Sequence, residues 1–170
     1  MLQQQNASKN ITDILLRGDR LYPGRIALIF GSKEISYGEL LRESCRMAAA
    51  VKAAGAERGE RIAILLDNSP EFVYAYFGIL LNRGIIVPVN HMFKREEIKY
   101  ILDDSGAKGL ITSAAYASVA DELKTITENL EFVLQVSETR EQPTDASVAP
   151  SVGKPEMSKE PAVFLYTSGT

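Results

Sequence analysis

Residues 61–90 have the sequence RIAILLDNSPEFVYAYFGILLNRGIIVPVN, and this stretch decides the fold class. Its two apolar runs, 61–66 and 85–89, have the continuous hydrophobicity of strands that are covered on both faces. Between them, Asn68-Ser69-Pro70-Glu71 predicts a helix start, because it combines Asn68 as a capping residue, an early proline and an acid near the positive end of the helix dipole. Gly84 is expected to close that helix. The stretch therefore predicts a β-α-β unit.

The same alternation extends in both directions from this unit. Ser36 and Glu39 have the spacing of a capping box and predict the start of an amphipathic helix that ends near Gly55. The other predicted elements are a helix at 11–17, a hairpin-like pair at 26–30 and 34–36, helices at 94–104 and 114–126, and strands at 107–112 and 131–136. Strands that alternate with helices of this length indicate an α/β fold, with a mainly parallel layered sheet and flanking helices.

Composition and charge restrict the classes of protein to consider. The chain has 170 residues, 45% of them hydrophobic, with a net charge of -3 and no basic block, so nucleic acid is not an expected partner. One cysteine (Cys45) and one histidine (His91) provide no Cys/His metal cluster. The N-terminus lacks the features of a signal peptide and the apolar stretches are too short for a transmembrane segment, so a cytoplasmic location is expected.

The C-terminal part of the sequence contains two contrasting segments. Residues 137–161 are rich in Ser, Pro, Glu and Thr and are predicted to form a mobile loop, with an interdomain linker as the alternative. Residues 162–166, AVFLY, have the character of a strand and lead into Thr167-Ser168-Gly169-Thr170. A turn rich in hydroxyl groups and glycine after a buried strand suits phosphate binding, because backbone N–H groups converge there and glycine permits close approach.

Several segments together resemble the adenylate-forming superfamily, which includes acyl-CoA synthetases, luciferase-like enzymes and the adenylation domains of peptide synthetases. Residues 166–170 resemble the first half of the family's phosphate loop, whose pattern continues Thr-Gly-x-Pro-Lys-Gly. Residues 59–72, 78–90 and 97–107 are similar to three further family segments in the same order. The chain departs from common family residues at Asp67 and at Asn82-Arg83-Gly84, whereas Asn90 favours the acyl-CoA synthetase branch.

The resemblance implies the N-terminal part of the large domain of an AMP-forming acyl-CoA synthetase, with 1–170 as a partial AMP-binding domain that ends where the phosphate loop begins. Such an enzyme joins a carboxylic acid, here expected to be a fatty acid, to coenzyme A through an acyl-adenylate, with ATP and Mg²⁺. The resemblance assigns phosphate binding to Thr167, Ser168, Gly169 and Thr170, and it assigns no catalytic and no metal-binding residue to this chain. The 170 residues alone are therefore expected to be inactive.

Alternatives remain open from the sequence. A second interpretation is a stand-alone α/β module that binds a nucleotide or a protein without catalysis. Another adenylating enzyme, either an amino-acid-activating domain or a luciferase-like oxygenase, is a third interpretation. A homodimer is also left open, and the residues do not specify the acid.

Overall fold

The computed structural model describes residues 10–136 and 161–167 of the chain. Five α-helices lie in this part of the chain: α1 (Ile11–Leu21), α2 (Tyr37–Ala53), α3 (Pro70–Leu81), α4 (Arg95–Ser105) and α5 (Ala117–Ile126). The strands are β1 (Ile26–Phe30), β2 (Lys33–Ser36), β3 (Arg61–Leu65), β4 (Ile85–Pro88), β5 (Gly109–Thr112) and β6 (Phe132–Gln135). A 3₁₀ turn at Ala114–Tyr116 precedes α5, so the helix predicted at 114–126 has two parts.

The main sheet is parallel and has the strand order β4-β3-β5-β6. Successive residues of β3 point to opposite faces, as the pleat requires. Ile62 and Ile64 pack with α2 and α3, whereas Ala63 and Leu65 pack with α4 and α5. The predicted layered α/β fold is therefore confirmed, with helices covering both faces of a parallel sheet. The pair β1-β2 forms a separate antiparallel hairpin, also as predicted.

Side-chain caps fix the starts of three helices. Asn10 and Ser36 each form a capping box, with Asp13 at the start of α1 and with Glu39 at the start of α2. At α3 the cap is Ser69, whose Oγ accepts the Phe72 N–H at 3.3 Å. The interpretation of Asn68 as the capping residue is therefore wrong by one position, because Pro70 occupies the first helical position.

The C-terminal end of α3 differs from the expectation that Gly84 closes it. The Gly84 N–H bonds to the Ile79 carbonyl at 2.9 Å and the Arg83 N–H to the Leu80 carbonyl at 3.0 Å, the two bonds of a Schellman motif. The left-handed residue is Arg83, with φ 59°. Gly84 is required for a different reason, because a Cβ there would lie 2.9 Å from Ile79 Cγ2.

Arg83→Gly is expected to raise the free energy of unfolding by about 1 kcal/mol, because glycine adopts the left-handed conformation without the Cβ clash of other residues. Arg83 is exposed, so its side chain contributes little packing. The measurement is urea unfolding of both proteins. Lys52→Gly in the last turn of α2 is the matched control and is expected to lower stability by a similar amount. A stability decrease in Arg83→Gly would contradict the strain argument.

The strand predicted at 162–166 is reduced to a single parallel bridge between Ile86 and Val163. Two hydrogen bonds form it, from the Ile86 N–H to the Ala162 carbonyl at 2.9 Å and from the Phe164 N–H to the Ile86 carbonyl at 2.8 Å. This short contact places the segment at the outer edge of β4. The mobile loop predicted at 137–161 lies outside the described residues except for its last position.

Candidate functional site

The carboxyl ends of the parallel strands bring loops from distant parts of the chain to one edge of the sheet. Asp67 follows β3, His91 follows β4, and Tyr116 lies in the turn after β5. The segment at 162–164 runs parallel to β4, and the exposed Thr167 follows it three residues later in the chain. Ligands of open parallel sheets bind beyond this edge, and we therefore treat it as the candidate site.

Three polar side chains form a cluster at this edge. The Tyr116 hydroxyl donates to Asp67 Oδ1 at 2.5 Å, and His91 Nε2 lies 3.7 Å from the same oxygen. The hydrogen bond to Asp67 raises the pKa of Tyr116, because the neutral phenol is the form that donates. The cluster connects the loops after β3, β4 and β5, so it positions these loops relative to one another.

The turn after β4 is fixed locally by Asn90. Its Oδ1 accepts the Met92 N–H at 2.9 Å, and its carbonyl accepts the Phe93 N–H at 3.0 Å. This is the Asx-type turn that asparagine favours, so Asn90 has a structural role in the turn after β4. His91 is exposed on this turn and contacts Asp67 as described above, which places it at the lip of the site.

A cavity of about 490 Å³ opens beside the cluster, between the starts of α4 and α5. Leu65, Phe93, Ile98 and Val119 provide apolar lining, and His91 and Tyr116 provide polar groups. Arg95, also at the cavity, donates to Glu96 Oε1 and to Glu122 Oε2, each at 2.7 Å. The bond to Glu122 connects α4 to α5. The two carboxylates neutralise the guanidinium, so Arg95 is not an unpaired cation.

Tyr166 holds the segment that precedes Thr167 against α4. Its hydroxyl donates to Asp104 Oδ2 at 2.6 Å, in the last turn of that helix. Burial raises the pKa of Tyr166 to about 12, and the hydrogen bond to Asp104 contributes to the rise. At neutral pH Tyr166 is therefore a stable hydrogen-bond donor.

The four residues predicted to bind phosphate are placed only in part. Thr167 is exposed and directly follows Tyr166, whereas Ser168, Gly169 and Thr170 lie outside the described residues. Sequence reasoning does not single out Tyr116. It does indicate the position of Asp67, because Asp67-Asn68 directly follows a buried parallel strand and so stands at the ligand-binding edge.

The described part of the chain contains neither a metal centre of clustered side chains nor a membrane-spanning helix. Residues 10–136 and 161–167 contain no group of three or more His, Cys, Asp or Glu side chains arranged to hold a metal ion. Among the helices of the same ranges, none has the length and hydrophobicity required to cross a membrane.

Comparison with known proteins gives the family. The family model described as AMP-binding enzyme matches residues 17–170. Among curated relatives, tyrocidine synthase 3 of Brevibacillus parabrevis is 31% identical over 148 residues, covering 87% of this chain and 2% of its own length. The long-chain-fatty-acid–CoA ligase of Bacillus subtilis is 29% identical over 119 residues, covering 70% of this chain and 21% of its own length. The chain belongs to the AMP-binding enzyme family.

Solved structures agree with this assignment. The fatty acyl CoA synthetase of Mycobacterium tuberculosis has a TM-score of 0.80 and 25% identity, covering 94% of this chain and 32% of its own. The O-succinylbenzoate coenzyme A synthetase of Bacillus subtilis, in complex with ATP and magnesium ion, has a TM-score of 0.69 and 30% identity, covering 76% of this chain and 34% of its own. The chain thus spans about a third or less of the length of these relatives.

Proposed function

We propose that this chain is the N-terminal portion of an AMP-forming acyl-CoA synthetase that activates a hydrophobic carboxylic acid, such as a fatty acid, in the cytoplasm. The observation that carries the proposal is the path of residues 162–167. This segment pairs in parallel with the edge of β4 and continues to the exposed Thr167. Parallel pairing gives the segment the direction of strands whose carboxyl ends carry the ligand site in an open parallel sheet.

The proposed reaction has two steps. A carboxylate oxygen attacks the α-phosphorus of ATP, which forms the acyl-adenylate and releases pyrophosphate. The thiol of coenzyme A then attacks the acyl carbon, the bond to AMP breaks, and the thiol proton is lost to solvent. Thr167, Ser168, Gly169 and Thr170 would hold ATP phosphates through hydroxyl and backbone donors.

Mg²⁺ bound to ATP would neutralise part of the phosphate charge. Asp67 and Glu96 are separate carboxylates at the carboxyl edge, and the described residues provide no preformed carboxylate cluster there. The contribution of this part of the chain is to position the phosphates.

A second candidate is the activation of an amino acid, which the similarity to tyrocidine synthase 3 favours. The sequence feature that separates the two candidates is Asn90 after β4, because peptide-synthetase adenylation domains resemble the chain elsewhere but usually have Asp there. Because position 90 is Asn in this chain, we retain the acyl-CoA synthetase as the first candidate. Asn90 also fixes its own turn through its hydrogen bond to the Met92 N–H.

Carboxylate-dependent exchange of labelled pyrophosphate into ATP tests the proposal on the complete protein. A panel of fatty acids, aryl acids and amino acids is compared, and thioester formation is then measured with coenzyme A. We expect a hydrophobic acid to support both reactions and the 170 residues alone to support neither. Exchange with amino acids only would favour the second candidate. Tight ATP binding by the 170 residues without exchange by the complete protein would favour a binding module.

A further inference from the structure

The backbone donors of β4 alternate between its two neighbours. The Ile85 N–H bonds to the Glu60 carbonyl at 2.8 Å and the Val89 N–H to the Ile64 carbonyl at 2.9 Å, so odd-numbered donors point towards β3. The Ile86 N–H points the other way and bonds to the Ala162 carbonyl at 2.9 Å. Position 88 has the same parity as Ile86, and its backbone nitrogen therefore faces the incoming segment at 162–167.

Position 88 is a proline, which has no N–H to donate. The next rung of a parallel ladder would join the nitrogen of residue 88 to the Phe164 carbonyl. The described residues show two bonds between the segment and β4, and the pairing ends after Phe164. Because the β3 side of β4 does not use this nitrogen, Pro88 removes the outer rung without weakening the β3-β4 pairing.

Beyond Phe164 the segment follows α4 instead of the sheet edge. Leu165 is 74% exposed, and the Tyr166 hydroxyl bonds to Asp104 at 2.6 Å. The rings of Phe164 and Tyr166 pack against the hydrophobic core between the sheet and the helices α4 and α5. The end of the ladder therefore coincides with a change in the path of the chain immediately before Thr167.

We propose that Pro88 is a positioning residue that ends the parallel ladder at Phe164 and so keeps the approach to Thr167 out of the sheet. A continued ladder would fix the backbone N–H of Tyr166 in a hydrogen bond to the carbonyl of residue 88. With the ladder ended, the Tyr166 backbone is released from the sheet, and the path towards Thr167 is set by the contact of Tyr166 with α4. This role in nucleotide binding rests on the proposed function, whereas the effect on strand pairing does not.

Pro88→Ala supplies the missing donor and tests the proposal in the complete protein. We expect the ladder to extend by one repeat, so that the Tyr166 N–H bonds to the carbonyl of residue 88. Amide hydrogen exchange at Tyr166 is then expected to slow about fivefold, the effect of one net hydrogen bond. In pyrophosphate exchange, the KM for ATP is expected to rise about fivefold with a smaller change in kcat, because residues 165–166, which lead to Thr167, are displaced.

Two controls separate the added donor from other effects of losing a proline. A backbone ester at position 88, made with the α-hydroxy analogue of alanine, lacks the ring and also lacks the N–H. We expect the ester variant to exchange at Tyr166 like the parent protein. Pro70→Ala, at the first position of α3, has a comparable change in unfolded-state entropy and is expected to leave exchange at Tyr166 unchanged.

The outcomes of this experiment are distinct. Slower exchange at Tyr166 in Pro88→Ala, together with parent-like exchange in the ester variant, supports the proposal. Unchanged exchange in Pro88→Ala, or equal slowing in the ester and alanine variants, overturns it. A complete protein that shows no carboxylate-dependent activity contradicts the proposed function alone, because hydrogen exchange at Tyr166 is measured without nucleotide.

Discussion

Thr167→Val in the complete protein is expected to lower kcat for carboxylate-dependent pyrophosphate exchange about a hundredfold, the usual effect of removing one preorganised donor from developing charge. Valine has nearly the shape of threonine and lacks its hydroxyl. Thr167 is exposed and has no hydrogen-bond partner within the described part of the chain. The substitution should therefore remove a phosphate contact without disturbing the fold.

Thr125→Val is the matched control for this prediction. Its hydroxyl donates to the Asp121 carbonyl at 3.1 Å on the exposed side of α5, away from the carboxyl edge. We expect exchange activity within about twofold of the parent and equal melting temperatures for both variants, since surface substitutions of this kind change stability little. If Thr167→Val retained the parental kcat, Thr167 would not contact a phosphate in the transition state.

The main sheet is predictable from the sequence because each of its strands is short, apolar and bounded by helix signals. Residues 61–66 and 85–89 are read correctly to within a residue, since a strand covered on both faces has a continuous apolar run. The end of α3 is not predictable in the same way. The sequence favours Gly84 as the left-handed residue, whereas tertiary packing places the left-handed conformation at Arg83 and uses Gly84 for contact with Ile79.

The candidate site is less predictable than the sheet, because its contacts join residues that are distant in sequence. Asp67 and Tyr116 are 49 residues apart and meet only because β3 and β5 are adjacent in the sheet. The strand order β4-β3-β5-β6 has no local signature in the sequence. The segment at 162–166 has strand composition, and the end of its pairing depends on which side of β4 the nitrogen of Pro88 faces.

The close packing of α3 against α2 supports the second prediction of large effect. At Gly78 in α3, an added Cβ would lie 2.7 Å from Met47 Cβ and Cγ and 3.1 Å from the Ala48 backbone nitrogen. Two of these three atoms are fixed by the backbone of α2, so a change of side-chain rotamer cannot remove the clash. Gly78→Val is therefore expected to lower the free energy of unfolding by about 3 kcal/mol, at the upper end of overpacking effects.

This cost exceeds what valine gains over glycine in a helix, which is below about 1 kcal/mol. Gly24→Val is the matched control, because no atom lies within 4 Å of a Cβ at Gly24 and its φ is not positive. Urea unfolding is expected to show a large decrease in midpoint for Gly78→Val and little change for Gly24→Val. Equal midpoints for Gly78→Val and the parent would mean that α2 and α3 can separate without cost. That result would contradict the close packing that places α3, and the Asp67 loop before it, on the sheet.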